Sequence, residues 1–286
     1  MRLFLSLSLI FLVSCASRQA GWEKNGSTVS LSSAEQTLLK QEAMKLWSQR
    51  STRDSLEQAL SKLELVHGAN PSELETLNYL TRGYYFLADA HMDNGDEKKK
   101  TYEKAASFGE KAMATNQKFK ESVSSGKAME QSLGDLTEKE VPAMYWTAAS
   151  LGKWAKASGI AAQLKYKTRI KALIERVEKL NPDFFFAAPS RYWGAFYAVA
   201  PAFAGGDLNK SREQFDKSLK MAPEYLGTKV LMAEVYWTKK GDKARFKKEL
   251  EEVLASRFDQ HKELGPENTM EKKKAQKLLN QIDELF

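Results

Sequence analysis

The side chains that could carry out acid–base, nucleophilic or metal chemistry are few in this sequence and lie far apart. Its three histidines, His67, His91 and His261, form neither an HExxH motif nor another His-pair spacing that would hold a metal ion. The neighbouring carboxylates Glu251 and Glu252 lie among lysines, as on a solvated helix face. The sequence contains no G-x-S-x-G, Walker or G-x-G-x-x-G motif. We therefore predict that the protein is not an enzyme and uses no cofactor.

The single cysteine, Cys15, has a different chemistry available, because it follows an apolar leader. Arg2 precedes the apolar stretch 3–13, and Leu12-Val13-Ser14-Cys15 resembles a bacterial lipobox, in which the cysteine thiol takes a diacylglyceryl group. The stretch has the length of a signal-peptide h-region, whereas a membrane-spanning helix needs about 20 apolar residues. We predict a cleaved lipoprotein signal peptide at 1–14 and Cys15 as the lipid anchor.

The sequence around the anchor predicts where the protein is located. With no second cysteine, no disulfide can form, so stability in an exported compartment has to come from packing. Residues 15–33 are rich in Ser, Gly and Ala and are predicted to be a flexible tether. Ala16 stands where some bacteria place the Asp linked to inner-membrane retention, so the outer membrane, facing the periplasm, is preferred.

The charge of the chain does not indicate a nucleic-acid partner. Its 286 residues include 44 basic and 37 acidic ones, for a formal net charge of +7. A nucleic-acid interface needs basic residues clustered on one face, whereas here the lysine runs 98–100 and 272–274 directly follow acids. We interpret the surface as mixed and solvated, and we expect no nucleic acid to bind.

From residue 34 onwards the sequence predicts helices, with a recurring spacing that indicates hairpins. Apolar residues return every three or four positions, and S/T-x-x-E/Q capping patterns begin at Ser33, Ser72 and Thr137. A spacing of four, three and five, in most cases ending in Pro, is typical of the second helix of a tetratricopeptide unit. It occurs, weakly in the second case, at Ala59-Leu63-Val66-Pro71, Ala105-Gly109-Ala112-Gln117, Ile170-Ile174-Val177-Pro182, Ser211-Phe215-Ser218-Pro223 and Phe246-Leu250-Val253-Phe258.

Several gaps between these units exceed the 34-residue period, so the array is expected to be irregular. The predicted fold is a single all-α domain over 34–286, an irregular tetratricopeptide-like solenoid of about five hairpins plus a C-terminal helix that caps the stack. The predicted pairs are 34–49/52–67, 73–93/97–116, 139–157/163–180, 190–204/208–221 and 226–240/243–256, followed by 267–284.

Two predicted helices carry almost no charge and mix large rings with small residues. Lys153 is the only charged residue in the segment 141–154, and no charged residue lies between Tyr192 and Gly206. Two interpretations remain open: the helices interdigitate in a dense core, or they leave an apolar cavity for an amphipathic ligand. Pro201 is predicted to kink the second helix. The candidate cavity residues are Tyr145, Trp146, Trp154, Tyr192, Trp193, Phe196, Tyr197 and Phe203.

The connection before the second apolar helix contains Phe184, Phe185 and Phe186 in succession. Three consecutive phenylalanines are unusual in a loop. They would either plug the junction between two hairpins or form the rim of an apolar opening, and the sequence does not decide between these roles.

The stretches 141–159 (VPAMYWTAASLGKWAKASG), 190–219 and 231–255, together with the lipobox, resemble the T-component (TatT) lipoproteins of TRAP transporters. This resemblance implies a helical-repeat lipoprotein that faces the periplasm and partners a TRAP-type periplasmic solute-binding protein. It also implies an apolar cavity for a hydrophobic small molecule, and it leaves self-association open. The alternative is a helical-repeat scaffold of the cell envelope that binds proteins and has no ligand.

Overall fold

The computed structural model describes residues 18–23, 29–93, 95–257 and 263–286, and within these ranges every regular element is a helix. The prediction of an all-α fold is therefore confirmed. The predicted signal peptide, Cys15, Phe258 and His261 lie outside the described residues. The α-helices are α1 (Ser33–Trp47), α2 (Arg53–Ala69), α3 (Leu74–His91), α4 (Asp96–Met113), α5 (Gln117–Ser124), α6 (Met129–Ser132), α7 (Val141–Ser158), α8 (Ile160–Leu180), α9 (Phe184–Val199), α10 (Leu208–Met221), α11 (Gly227–Met232), α12 (Thr238–Lys240), α13 (Lys243–Ala255), α14 (Gly265–Asn280) and α15 (Ile282–Leu285).

The five predicted hairpins correspond to helix pairs in the structure. They are α1/α2, α3/α4, α7/α8, α9/α10 and the last pair, in which α11, a π-helical segment (Ala233–Trp237) and α12 run on as one helix before α13. The short helices α5 and α6, between the second and third hairpins, were not predicted. The regular repeat geometry of a solenoid stays a prediction.

Two aspartates that directly follow a glycine cap helices. Asp207 caps α10, where its Oδ1 accepts hydrogen bonds from the backbone N–H groups of Asn209 and Lys210 at 2.9 and 3.2 Å. Asp242 caps α13 in the same way, with its Oδ1 3.0 Å from the N–H of Arg245. These bonds satisfy N–H groups that have no partner inside the helix.

Only one of the three predicted capping boxes is found at its predicted position. Thr137 and Glu140 form it, with the Glu140 carboxylate accepting from the Thr137 N–H at 2.7 Å. The box of α1 starts one residue earlier than predicted, at Ser32, with Glu35 as its acid. The box predicted at Ser72 is wrong, because α3 starts later and lacks a side-chain cap.

The repeated spacing marks the buried faces of the hairpins. Leu63, Ile174, Phe215 and Leu250, the central residues of four units, are 0% exposed. Each such side chain contributes about 1.5–3 kcal/mol to folding by leaving water. In the weak second unit, Gly109 allows α7 to approach closely, since a Cβ at this position would lie 2.0 Å from Oγ1 of Thr147.

The C-terminal helix α14 does more than cap the stack. It packs against α11 and α13, and it also reaches the first two hairpins through buried and partly buried ion pairs. Glu267 binds Nε of Arg50 at 3.0 Å and also Arg82, while Lys274 binds Asp89 at the end of α3. The helix therefore forms a wall across the inner side of the hairpins, a position that the sequence analysis did not predict.

The helix α9 is irregular at its start and ends before Pro201. Phe185, Phe186 and Ala187 have φ of 43°, 58° and 54°, in the left-handed region that residues other than Gly rarely adopt. The predicted kink at Pro201 is wrong, because α9 ends at Val199 and the proline lies in the following loop. The residue before a proline disfavours helical conformation, which explains this early end.

Part of the predicted tether is packed on the domain. The Gly21 N–H donates to Oε2 of Glu110 on α4 at 2.7 Å, and the Arg18 guanidinium pairs with the same carboxylate. Trp22 lies edge-on against Phe119. The division into leader, tether and domain otherwise stays a prediction. Among the described residues, no helix is both long enough and apolar enough to cross a bilayer.

Candidate functional site

A cavity of about 280 Å³ lies where α3, α7, α9, α11 and α14 meet. We call it the central cavity. Small residues of the two apolar helices provide its space: Ala148, Ala149 and Gly152 on α7 and Ala195 on α9. A Cβ at Gly152 would meet nothing within 4 Å. The space between the two apolar helices is therefore not completely filled by side chains.

Three of the eight predicted cavity residues line the central cavity. They are Tyr145, Trp146 and Tyr192. Tyr145 and Trp146 are 9% and 6% exposed and lie edge-on to each other at 4.9 Å. Tyr192 stacks on Phe196 with ring centroids 6.4 Å apart. The structure thus brings together rings from α7 and α9 around one space.

The other five residues lie elsewhere. Trp154 packs edge-on against Tyr166 of α8. Trp193, Phe196 and Tyr197 form a ring cluster on α9, beside the lysines of α8, and the Trp193 indole donates to Glu178 at 2.9 Å. Phe203 is 94% exposed in the loop after α9.

Rings from other elements complete the apolar wall. Tyr85 and Phe86 come from α3, and Tyr225 comes from the loop before α11. Burial raises the pKa of the hydroxyls of Tyr85, Tyr192 and Tyr225, and within the described residues these hydroxyls have no hydrogen-bond partner. A tyrosine hydroxyl in a buried site usually has a polar partner. The cavity therefore combines an apolar surface with polar groups available to a guest.

Arg191 places a buried positive charge at the cavity wall. Its side chain lies 4.4 Å above the Tyr225 ring, and the residue is 5% exposed. Its guanidinium donates to the carbonyls of Phe186 and Phe185 at 2.8 and 3.2 Å. Among the described residues no carboxylate forms an ion pair with it. Since a buried charge is costly without a counter-charge, Arg191 favours a guest whose polar end accepts hydrogen bonds.

A charge cluster lies at the other side of the cavity, where α3, α7 and α14 meet. Asp89 binds Lys153 at 2.7 Å and Lys274, and it accepts a hydrogen bond from the Tyr102 hydroxyl at 3.0 Å. Burial opposes ionisation of Asp89, but the two ammonium groups outweigh it and hold its pKa well below the usual range. The Asp89 charge in turn raises the pKa of Lys153.

An open groove of about 910 Å³ adjoins the central cavity on its outer side. We call it the outer groove. Phe184, Phe185 and Phe186 all line it, together with charged residues such as Glu75 and Glu224. Phe185 and Trp146 line both spaces and lie edge-on to each other at 4.7 Å. These two rings therefore separate the groove from the cavity.

The charged and tyrosine residues that α3, α14 and the Tyr225 loop bring to the site were not predicted from the sequence. Lys274 belongs to a lysine run that reads as a solvated face, but it is paired with Asp89, 185 residues away. Arg191 was the only charged residue in a long uncharged stretch, 184–206, and this was the available signal. No group of described residues could hold a metal ion.

The comparison with known proteins shows the family of the chain. No curated protein matches the chain. The family model of the TRAP transporter T-component (TAtT) matches residues 52–286, which includes the second helix of the first hairpin and all the elements around the central cavity. The resemblance predicted from the sequence is therefore confirmed, and the chain belongs to the TRAP transporter T-component family.

Proposed function

We propose that this transporter accessory protein holds a hydrophobic molecule with a polar end in its central cavity. The observation that carries the proposal is the unfilled space between α7 and α9, which is walled by rings and bordered by one buried, unpaired guanidinium. Its volume is near the lower end of the range of about 300–1,000 Å³ for small-molecule sites. The apolar part of the guest would lie against Tyr145, Trp146 and Tyr192, with its polar end toward Arg191.

The outer groove would serve as the route into the cavity. Its phenylalanine rings could receive the guest, and movement of the Phe185 ring would connect the two spaces. The Arg82 guanidinium lies 4.8 Å above that ring on the groove side. Displacing Phe185 therefore requires only that a cation–π contact and ring contacts be exchanged for contacts with the guest.

In the cell, the protein would be anchored through Cys15 and would face the periplasm, with the outer membrane preferred. It would dock a TRAP-type periplasmic solute-binding protein and receive the hydrophobic molecule from it or pass the molecule to it. Membership of the T-component family supports this partner. Co-purification with the solute-binding protein encoded beside the transporter's membrane subunits tests the docking, and failure to form a complex with purified components contradicts it.

The cavity proposal is tested by filling the space from Gly152. A Gly152→Leu side chain extends into the open space, and replacing Gly within a helix favours folding by about 0.5–1 kcal/mol. We expect native mass spectrometry to find a bound small molecule on the wild-type protein and none on the Gly152→Leu variant.

The matched control is Gly134→Leu, since Gly134 also has open space around its Cβ position but lies outside both the cavity and the groove. This variant should retain the bound molecule. A wild-type protein that carries no ligand, or a Gly152→Leu variant that carries as much as the wild type, would leave only the scaffold function.

A further inference from the structure

Four large apolar side chains lie exposed at one edge of the molecule. Ile160 and Leu164 in the first turns of α8 are 75% and 70% exposed, and Val199 and Phe203 around the loop after α9 are 66% and 94% exposed. We call these four residues the edge patch. None of them lines the central cavity or the outer groove, so the proposed ligand site does not explain them.

The edge patch is continuous across two neighbouring hairpins. Ile160, Leu164, Lys167 and Lys171 follow each other at helical spacing on one face of α8. Lys167 Nζ donates to the carbonyl of Ala204, next to Phe203, at 3.0 Å. The start of α8 is therefore fixed beside the loop that carries Phe203, and the apolar side chains of both elements lie at the same edge.

The surroundings of the edge patch are basic. The segment 141–174 contains no acidic residue and carries Lys153, Lys156, Lys165, Lys167, Arg169 and Lys171. Within the part of the chain that the structure describes, Lys156, Lys165 and Lys167 form no ion pair. Nearby carboxylates are engaged: Asp207 caps α10, and Glu130 pairs with Arg169. An apolar surface with a basic border is typical of proteins that lie on anionic lipid.

A shallow basic depression continues this edge on the side of α4. It is lined by the first turn of α4 and the last turn of α7, so α4 begins at the same edge as α8. Six lysines, Lys98, Lys99, Lys153, Lys156, Lys274 and Lys277, outnumber its three carboxylates, Asp89, Asp96 and Glu234. The positive charge around the edge patch therefore extends over several helices.

The course of the N-terminal chain leads toward the same edge. Trp22 contacts Phe119, beyond the C-terminal end of α4, whereas Arg18, which pairs with Glu110, also lies 3.9 Å from Glu103 in the middle of that helix. Arg18 also adjoins Tyr166, in the second turn of α8. Cys15 is only three residues further, a reach of roughly 10 Å at most.

We propose that the edge patch rests on an anionic phospholipid bilayer. Phe203, Val199, Ile160 and Leu164 would enter the headgroup region, about 5–10 Å deep for an interfacial apolar face, and the lysines around them would contact lipid phosphates. This arrangement would fix the orientation of the protein on the membrane instead of leaving it free on a tether. It goes beyond the proposed function and does not depend on a ligand in the central cavity.

The test uses the full lipoprotein in vesicles of phosphatidylethanolamine and phosphatidylglycerol, with an environment-sensitive fluorophore at one position. Because Cys15 is the only cysteine and would be acylated, Phe203→Cys and Ile160→Cys each offer a single thiol to the fluorophore. The control is Leu38→Cys, since Leu38 is 56% exposed in the second turn of α1, away from the edge patch. For fluorophores at positions 203 and 160, we expect a blue shift of the emission and quenching by lipids that are brominated near the headgroup. We expect neither effect at position 38.

Each other outcome would overturn the proposal in its own way. Equal signals at positions 203 and 38 on protein that floats with vesicles would mean that the protein is anchored but does not rest on this edge. A chain that fails to float would rule out both the edge contact and the anchor. If the fluorophore at position 203 is shielded from water in detergent, in a complex of higher mass, the edge patch is a contact with a second copy of the chain. If it is shielded only after the solute-binding protein is added, the edge patch is a contact with that partner.

Discussion

At the scale of single residues, Asp89 shows how buried charge holds the site together. It is the carboxylate between Lys153 of α7 and Lys274 of α14, and the Tyr102 hydroxyl of α4 donates to it. Four helices therefore meet at one side chain, which is 10% exposed. Removing its charge would leave Lys153 without its carboxylate partner and Lys274 with Glu271 alone.

We expect Asp89→Asn to lower the free energy of unfolding at neutral pH by about 1–3 kcal/mol, because Lys153 loses its carboxylate partner and Lys274 keeps only Glu271 among the described residues. The folded-state pKa of Asp89 is depressed, so its stabilisation is present above the unfolded pKa of about 3.9 and is lost as the pH falls through the lower folded value. Denaturant unfolding at pH 7 and near pH 3 should therefore show a difference between variant and wild type that shrinks in acid.

Asp96→Asn is the matched control, since Asp96 is an exposed partner of Lys99 and exposed pairs contribute little. Its effect at neutral pH should be much smaller than that of Asp89→Asn. If Asp89→Asn behaves like this control, or if its effect is the same at both pH values, the buried charge cluster does not stabilise the fold as described.

At the scale of elements, the start of α9 positions the ring that separates the groove from the cavity. Phe185, Phe186 and Ala187 are left-handed, a conformation that costs roughly 1–2 kcal/mol per residue for side chains other than Gly. Arg191 donates to the carbonyls of Phe185 and Phe186 and so holds this turn from within the same helix. Backbone strain of this kind is often found at ligand sites and switches.

The strain is measured by comparing two adjacent alanines that are both buried, Ala187 and Ala188. Ala187→Gly removes a left-handed Cβ, whereas Ala188→Gly only adds flexibility to a regular helix. We expect the free energy of unfolding of Ala187→Gly to exceed that of Ala188→Gly by about 1–2 kcal/mol in denaturant titrations. Equal values would show that the turn is not left-handed in solution.

The elements also show what the sequence can and cannot predict. The spacing of small and apolar residues located all five hairpins, because each hairpin buries a face that its own sequence encodes. The wall formed by α14 was not predictable in this way, since Glu267 meets Arg50 across 217 residues and lysines look solvated when read alone. The left-handed start of α9 was missed because phenylalanine has no preference for that conformation.

At the scale of the whole molecule, α14 adds a wall to the array of hairpins beside the central cavity. By pairing with Arg50, Arg82 and Asp89, it connects the last hairpin to the first two and covers the inner side of the cavity. An open array would offer a concave surface to a protein partner. With α14 in place, the remaining space is the central cavity between α7 and α9, and the proposed route past Phe185 suits a small guest better than a peptide.

The most direct test of the central claim is a crystal structure with a hydrophobic probe that can be located without ambiguity. The probe is a fatty acid carrying bromine on its terminal carbon, co-crystallised with the wild-type protein. We expect an anomalous bromine peak inside the central cavity, near Tyr145 and Tyr192, with the carboxylate end toward Arg191. A cavity filled by side chains, or bromine found only on the outer surface, would contradict the central claim.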